Sequence, residues 1–125
     1  MPIILIVDDD PEIRSTLKKL LELSGHGVLT AKSGLAAIES LEQAQVDLMI
    51  TDIVMPDQDG LASIKLARQA NPDLPIIAMS GGSQLHTEDY LRLAKAFGAN
   101  DVLQKPFDAS ALLEAIKRTI GDLRS

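Results

Sequence analysis

The sequence predicts an α/β fold: a doubly wound, five-stranded parallel sheet with helices on both faces. Three observations predict it. Short, β-rich apolar runs alternate about five times with longer stretches of helical period, the form that repeated βαβ units take. Three of the runs, Ile3 to Val7, Leu48 to Thr51 and Ile76 to Met79, are almost wholly apolar, as strands covered on both faces must be. Charged residues close several of them: Asp8 and Asp9 follow IILIV, Asp52 follows LMIT, and Lys105 follows VLQ. The C-terminal ends of parallel strands share one edge, so these four side chains would meet in a single crevice.

Each element has its own signals. The first strand, Ile3 to Val7, gives way to a helix whose start is marked by Asp10 before Pro11, a capping residue followed by a ring that fits the first helical position. Ile13, Leu17, Leu20 and Leu21 form its apolar stripe, and Gly25 stops it, as glycine does after many helices. The second strand is Val28 to Ala31, and Ser33 caps the helix after it. The third and fourth strands are Leu48 to Thr51 and Ile76 to Met79. Tyr90, Leu93, Ala94 and Phe97 mark the fourth helix, which Gly98 ends. The last strand lies at Val102 to Leu103 with its flanks. Asp108 then caps a final helix with the stripe Leu112, Leu113, Ile116 and Ile120. Connections between parallel strands are right-handed, which places helices on both faces of the sheet.

Composition narrows the function. A chain of 125 residues is one domain on the usual length prior, so residues 1–125 are expected to form a single unit with nothing left for an output domain. The net charge of −6 argues against direct nucleic-acid binding or an anionic membrane surface, both of which call for basic groups. The absence of cysteine excludes disulfides, zinc–thiolate sites and thiol catalysis. No apolar run is long enough to span a bilayer, and no basic leader precedes the first strand, so the expected location is cytoplasmic.

The crevice is where chemistry is expected. Carboxylates crowded together repel one another unless a cation joins them, and an all-oxygen site favours a hard ion such as Mg²⁺. Such an ion keeps waters and accepts phosphate oxygens, so carboxylates, metal and lysine together suit phosphoryl transfer. An aspartate can itself be the nucleophile and form an acyl phosphate. Asp52, alone after its strand, is the better candidate, while Asp8 and Asp9 share the metal. Plainer readings hold elsewhere. Asp10 is a helix cap, Asp57 and Asp59 are loop residues, and Met55 and Pro56 shape the loop beside Asp52. His26, between two glycines, and His86, in a polar loop, read as exposed turn residues rather than as metal ligands or phosphohistidines.

Several motifs occurring in order, ILIVDDD, TDIVMPDQDG, IIAMSGG and QKPF, make the chain resemble a response-regulator receiver domain, of the stand-alone chemotaxis-regulator kind, over essentially its whole length. The resemblance implies a flavodoxin-like sheet of order 2-1-3-4-5. It implies that Asp52 is the phosphoacceptor and that Ser80 and Lys105 contact the phosphoryl oxygens. Mg²⁺ would be held by Asp9, Asp52 and the backbone carbonyl of Val54, with Asp8 acting partly through water. A cis bond between Lys105 and Pro106 and a turn permitted by Gly60 follow from the same likeness. So does a switch rather than an enzyme: a sensor histidine kinase or histidine phosphotransfer protein donates the phosphoryl group, and a downstream protein target reads the changed surface. The protein would be a monomer or a weak, phosphorylation-dependent dimer, with kinase specificity carried by first-helix residues such as Ile13, Arg14 and Leu17.

This sequence departs from the family pattern in places. Val102 stands where the last strand usually carries an aromatic switch residue. The segment GGSQLHTEDY after Ser80 is rich in glycine and somewhat long. Val54 and Gly82 occupy positions that tune hydrolysis in the family, and neither side chain can orient a water, so slow self-dephosphorylation is expected. Besides an unphosphorylated binding module with a vestigial pocket, against which the intact acidic pair, acceptor, hydroxyl and lysine all count, two alternatives stand beside the switch. One is a Mg²⁺-dependent phosphohydrolase with an aspartyl-phosphate intermediate, which would need a general acid near Asp52. The other is the receiver part of a longer regulator.

Overall fold

The structure is a computed structural model that describes residues 2–55, 58–80, 87–105 and 107–121, with the backbone alone for 54, 55, 58–60 and 87–91. The elements run β1 (Ile3–Val7), α1 (Pro11–Leu23), β2 (Gly27–Ala31), α2 (Gly34–Gln43), β3 (Leu48–Asp52), β4 (Val54–Met55), β5 (Gln58–Asp59), α3 (Gly60–Ala70), β6 (Ile76–Ser80), α4 (Thr87–Phe97), β7 (Asp101–Gln104) and α5 (Ala109–Ile120). Five strands pair in parallel in the order β2-β1-β3-β6-β7. Counting only the strands of this sheet, that is the expected order 2-1-3-4-5. The structure adds β4 and β5, an antiparallel pair of two-residue strands with Val54 opposite Asp59 and Met55 opposite Gln58. Two residues carry too little periodicity to announce a strand.

Side chains alternate across the sheet because successive Cβ atoms of a strand point to opposite faces. Leu5, Val7, Met49, Ile76 and Ala78 pack with Ala37 of α2, Ile64 and Ala67 of α3 and Ala94 of α4. Ile4, Ile6, Leu48, Ile50, Ile77 and Met79 pack on the other side with Leu17 and Leu21 of α1 and with Leu112, Ala115, Ile116 and Ile120 of α5. The register puts Ile4 opposite Leu48 and Leu5 opposite Met49, so neighbouring strands feed the same layer. Each fully buried Leu, Ile, Val or Met among them is worth about 1.5–3 kcal/mol of transfer free energy. Two apolar layers therefore clamp the sheet and leave its C-terminal edge as the polar end.

The helix boundaries follow local chemistry. Asp10 accepts a hydrogen bond from the Glu12 N–H at 2.9 Å, Ser33 from Ala36 at 3.1 Å, and Asp108 from Ala111 at 2.8 Å, each satisfying a donor that the first turn leaves open. Gly25 and Gly98 have φ of 92° and 122°, a conformation that side chains with a Cβ resist. Three expectations need correction. Leu93 is 43% exposed, because Ala94 and Phe97 are the α4 residues that turn toward the sheet. His26 is buried at 6% exposure rather than exposed in its turn: its N–H donates to the Leu21 carbonyl at 3.0 Å, drawing the residue back against the helix end. Leu17 is core, at 6% exposure, since its place in the stripe points it at the sheet, and so it is no surface determinant.

Candidate functional site

At the C-terminal edge, β1 delivers Asp8. Its N–H donates to the Ala31 carbonyl at 3.1 Å, which extends the ladder by one residue and leaves the carboxylate 1% exposed. Asp52 is the last residue of β3 rather than a loop residue after it, lies opposite Met79 and is 5% exposed. Ser80 ends β6 at 3% exposure. Its carbonyl accepts the Lys105 N–H at 2.7 Å, so a backbone bond ties the hydroxyl residue to the lysine. Lys105 sits one position beyond β7.

The charges then converge. Lys105 Nζ donates to Asp8 Oδ2 at 3.0 Å and to Asp52 Oδ2 at 3.1 Å, with about a fifth of the lysine side chain exposed. The remaining Asp8 oxygen, Oδ1, accepts the Asp10 N–H at 3.0 Å. Burial, the largest single effect on Lys105, pulls its pKa down. The hydrogen bond to Asp8, the charges of Asp52 and Asp8 and the hydrogen bond to Asp52 together outweigh it, and the pKa ends above its ordinary value. An ammonium held between two buried carboxylates is the charged form at neutral pH.

Asp8, Asp9 and Asp52 each offer a carboxylate oxygen, and these atoms lie within 4.8 Å of one another. Oxygens around an octahedral Mg²⁺ at about 2.1 Å stand roughly 3 Å apart when adjacent and about 4.2 Å when opposite, so small side-chain rotations would bring the three onto one ion. Asp9 is the exposed member, while Asp8 and Asp52 are buried. That leaves the ion a face for waters and for phosphate oxygens. The donor set therefore fits a hard divalent cation.

A family model for the response regulator receiver domain matches residues 4–117. The chain belongs to this family. The receiver domain is 38% identical over 114 residues to the transcriptional regulatory protein CpxR of Escherichia coli K12, covering 91% of this chain and 47% of that protein. It is 37% identical over 119 residues to the DNA-binding transcriptional regulator NtrC of the same strain, covering 95% of this chain and 25% of that protein. It thus spans half or less of the length of these curated relatives. Among solved structures, the chemotaxis protein CheY4 of Vibrio cholerae superposes with a TM-score of 0.85 at 30% identity, covering 95% of this chain and 98% of that one.

The structure thus brings together Asp8, Asp9, Asp52 and Lys105, and it places Ser80 on the same sheet edge. Val54 follows Asp52 by two residues in the short strand β4. Expectations that fall on Pro56, Asp57, residues 81–86 (Gly82 and His86 among them) and the Lys105–Pro106 bond lie outside the described residues, as do the side chains of Val54, Met55, Asp59 and Tyr90. Val102 is half-buried against the layer that includes α2, α3 and α4. One residue has a role beyond the partner-facing one that the sequence suggests. Arg14 Nη1 donates to the Asp8 backbone carbonyl at 2.7 Å, so the arginine is part of the crevice's own framework. Its sequence signal was slight: an arginine in the first turn of the helix that follows the acidic pair.

Proposed function

We propose that this receiver domain takes a phosphoryl group on Asp52 and signals by the change of surface that follows. The convergence of Asp8, Asp9, Asp52 and Lys105 at one sheet edge carries this reading. The donor is a phosphohistidine of a sensor histidine kinase or of a histidine phosphotransfer protein. An Asp52 oxygen attacks the phosphorus, the bond from phosphorus to the imidazole nitrogen breaks, and the imidazole leaves with that electron pair. A Mg²⁺ held by Asp8, Asp9, Asp52 and the Val54 carbonyl supplies, when bound, charge neutralisation at the phosphoryl oxygens. Lys105 shifts one of its N–H donors from carboxylate to phosphoryl oxygen, and the Ser80 hydroxyl donates to another. Because Ser80 and Lys105 share a backbone bond, movement of either draws on β6 and β7 together and biases the neighbouring surface toward its active form.

This makes the domain a switch rather than an enzyme with its own substrate. A phosphohydrolase would need a general acid at Asp52. His26 precedes β2 and so lies at the opposite edge of the sheet. The family span of residues 4–117 supports reading 1–125 as one receiver unit. The lengths of CpxR and NtrC favour a second reading, in which the unit works as the receiver part of a longer regulator and passes its signal to an attached segment instead of to a separate protein target. On either reading the unit itself does not bind nucleic acid, consistent with its net charge of −6. No helix among the described residues is long and apolar enough to cross a membrane, which supports a cytoplasmic place for it. Dimerisation, if phosphorylation drives it, is weak.

The test is intact mass after incubation with acetyl phosphate and Mg²⁺. One added phosphoryl group, absent from Asp52→Asn and from a sample with EDTA, is the expected result. An adduct that persists in Asp52→Asn would move the acceptor elsewhere.

A further inference from the structure

We infer that Arg14 is a positioning residue of the cation site, acting through the Asp8 peptide to set the direction of Asp9. The inference rests on the reading of Asp8, Asp9 and Asp52 as that site. The observation behind it is a choice of partner. An arginine that reaches the backbone of an acidic cluster would ordinarily pair with a carboxylate there, often bidentately. Among the described residues Arg14 forms none, since the ion pairs there join Lys105 to Asp8, Lys105 to Asp52, and Arg118 to Asp101. Its guanidinium instead donates to a neutral carbonyl, that of Asp8, at 2.7 Å.

The geometry explains the choice. The Asp8 carbonyl is the first beyond the β1 ladder, at a residue 1% exposed, and a buried carbonyl needs a donor. Three nearby backbone donors are engaged elsewhere: Asp10 N–H on Asp8 Oδ1, Glu12 N–H on Asp10 Oδ1, and Arg14 N–H on the Asp10 carbonyl. The Arg14 side chain supplies the donor from one turn further along α1. Through the planar peptide unit, holding the Asp8 oxygen also holds the Asp9 nitrogen and Cα. Asp8 needs little further help, because both its carboxylate oxygens are bonded. Asp9 is exposed, and among the described residues no side-chain hydrogen bond is recorded for it. Its direction is set by its backbone, and its backbone by Arg14.

Charge and position make opposite predictions. A guanidinium near the carboxylates repels an incoming cation, so if charge alone mattered, removing it would tighten Mg²⁺ binding. If Arg14 positions Asp9, removing it weakens binding despite the relief of repulsion. Loss of groups that orient metal ligands typically costs 10–100-fold in affinity, and the opposing charge effect puts the expected loss near the lower end, roughly tenfold.

The experiment titrates Mg²⁺ alone into the native chain and into Arg14→Met, Arg14→Lys and Asp9→Asn, followed by calorimetry and by amide NMR shifts, with thermal unfolding of each variant as a check on folding. Expected are binding by the native chain, loss of binding in Asp9→Asn, a roughly tenfold weaker Arg14→Met, and partial recovery in Arg14→Lys, which keeps a donor without the planar fork. The rate of labelling by acetyl phosphate should fall in Arg14→Met at low Mg²⁺ and recover when Mg²⁺ is raised, a pattern that a general loss of structure would not give. Equal or tighter binding by Arg14→Met, with Asp9→Asn still defective, overturns the positioning role and leaves the cation site intact. Should Arg14→Met not fold, Arg14→Lys carries the test: its shorter donor is expected to hold the Asp8 carbonyl less well and weaken binding, and unchanged binding with a normal labelling profile overturns the positioning role. Absence of Mg²⁺ binding in the native chain, or binding indifferent to Asp9→Asn, removes the cation site and the inference together.

Discussion

Replacing Lys105 by methionine would remove one cation from between two carboxylates while keeping most of the side chain's apolar length. The ammonium makes two charge-assisted hydrogen bonds, at 3.0 Å and 3.1 Å, to carboxylates whose side chains are 1% and 7% exposed. Deleting one partner of a fully buried ion pair costs about 3–5 kcal/mol, chiefly because the remaining charge is left uncompensated. Two features reduce that figure: the lysine is one-fifth exposed, so water reaches the gap, and Asp8 keeps the Asp10 N–H. A loss of about 2–3 kcal/mol is therefore expected without divalent ions. With a urea m-value of about 1.5 kcal/mol/M, the midpoint falls by roughly 1.3–2 M. The assay is urea unfolding of native and Lys105→Met proteins in EDTA and again in millimolar Mg²⁺, where an ion between the carboxylates replaces the missing charge and the gap narrows. A variant as stable in EDTA as the native chain would refute the argument that Lys105 compensates buried charge. A gap that Mg²⁺ leaves untouched would refute the claim that ion and ammonium serve the same carboxylates.

The same pair of proteins tests pH dependence. The folded-state pKa of Lys105 is raised above its unfolded value, so its contribution is complete below the ordinary lysine range and is lost as pH climbs through the higher folded value. The stability difference between native and Lys105→Met should be flat through neutral pH and shrink only under strongly alkaline conditions; a difference that vanishes near neutrality would contradict the raised value. Asp10→Ala separates cap from ligand. It should cost about 1 kcal/mol through the lost bond to the Glu12 N–H, yet leave Mg²⁺ affinity unchanged, because Asp8 is held by the backbone N–H of residue 10, which alanine retains. A drop in affinity as large as that of Asp9→Asn would place Asp10 among the ligands.

What could be read from the sequence is what backbone geometry alone determines. Ile4 and Ile6 face one layer and Leu5 and Val7 the other because a strand alternates its side chains. Asp8, Asp52 and Lys105 meet because parallel strands end along one edge, whatever their separation in sequence. The caps at Asp10, Ser33 and Asp108 and the stops at Gly25 and Gly98 were legible because short-range hydrogen bonds and φ preferences decide them. What escaped depends on tertiary surroundings or on side-chain reach. His26 looked like a turn residue because its neighbours are glycines, and its burial comes from packing against the end of α1. Leu93 kept the helical spacing but lies to the side of the line through Ala94 and Phe97 that meets the sheet. Arg14 is the clearest case. Position along α1 places its Cα near the crevice, but only the surroundings decide whether a side chain with so many rotamers turns outward to a partner or inward to a carbonyl. Strand ends therefore locate the charged groups, while the long side chains beside them determine how firmly those groups are aimed. At this edge the aiming falls to Lys105 for Asp8 and Asp52, and to Arg14 for the peptide that carries Asp9.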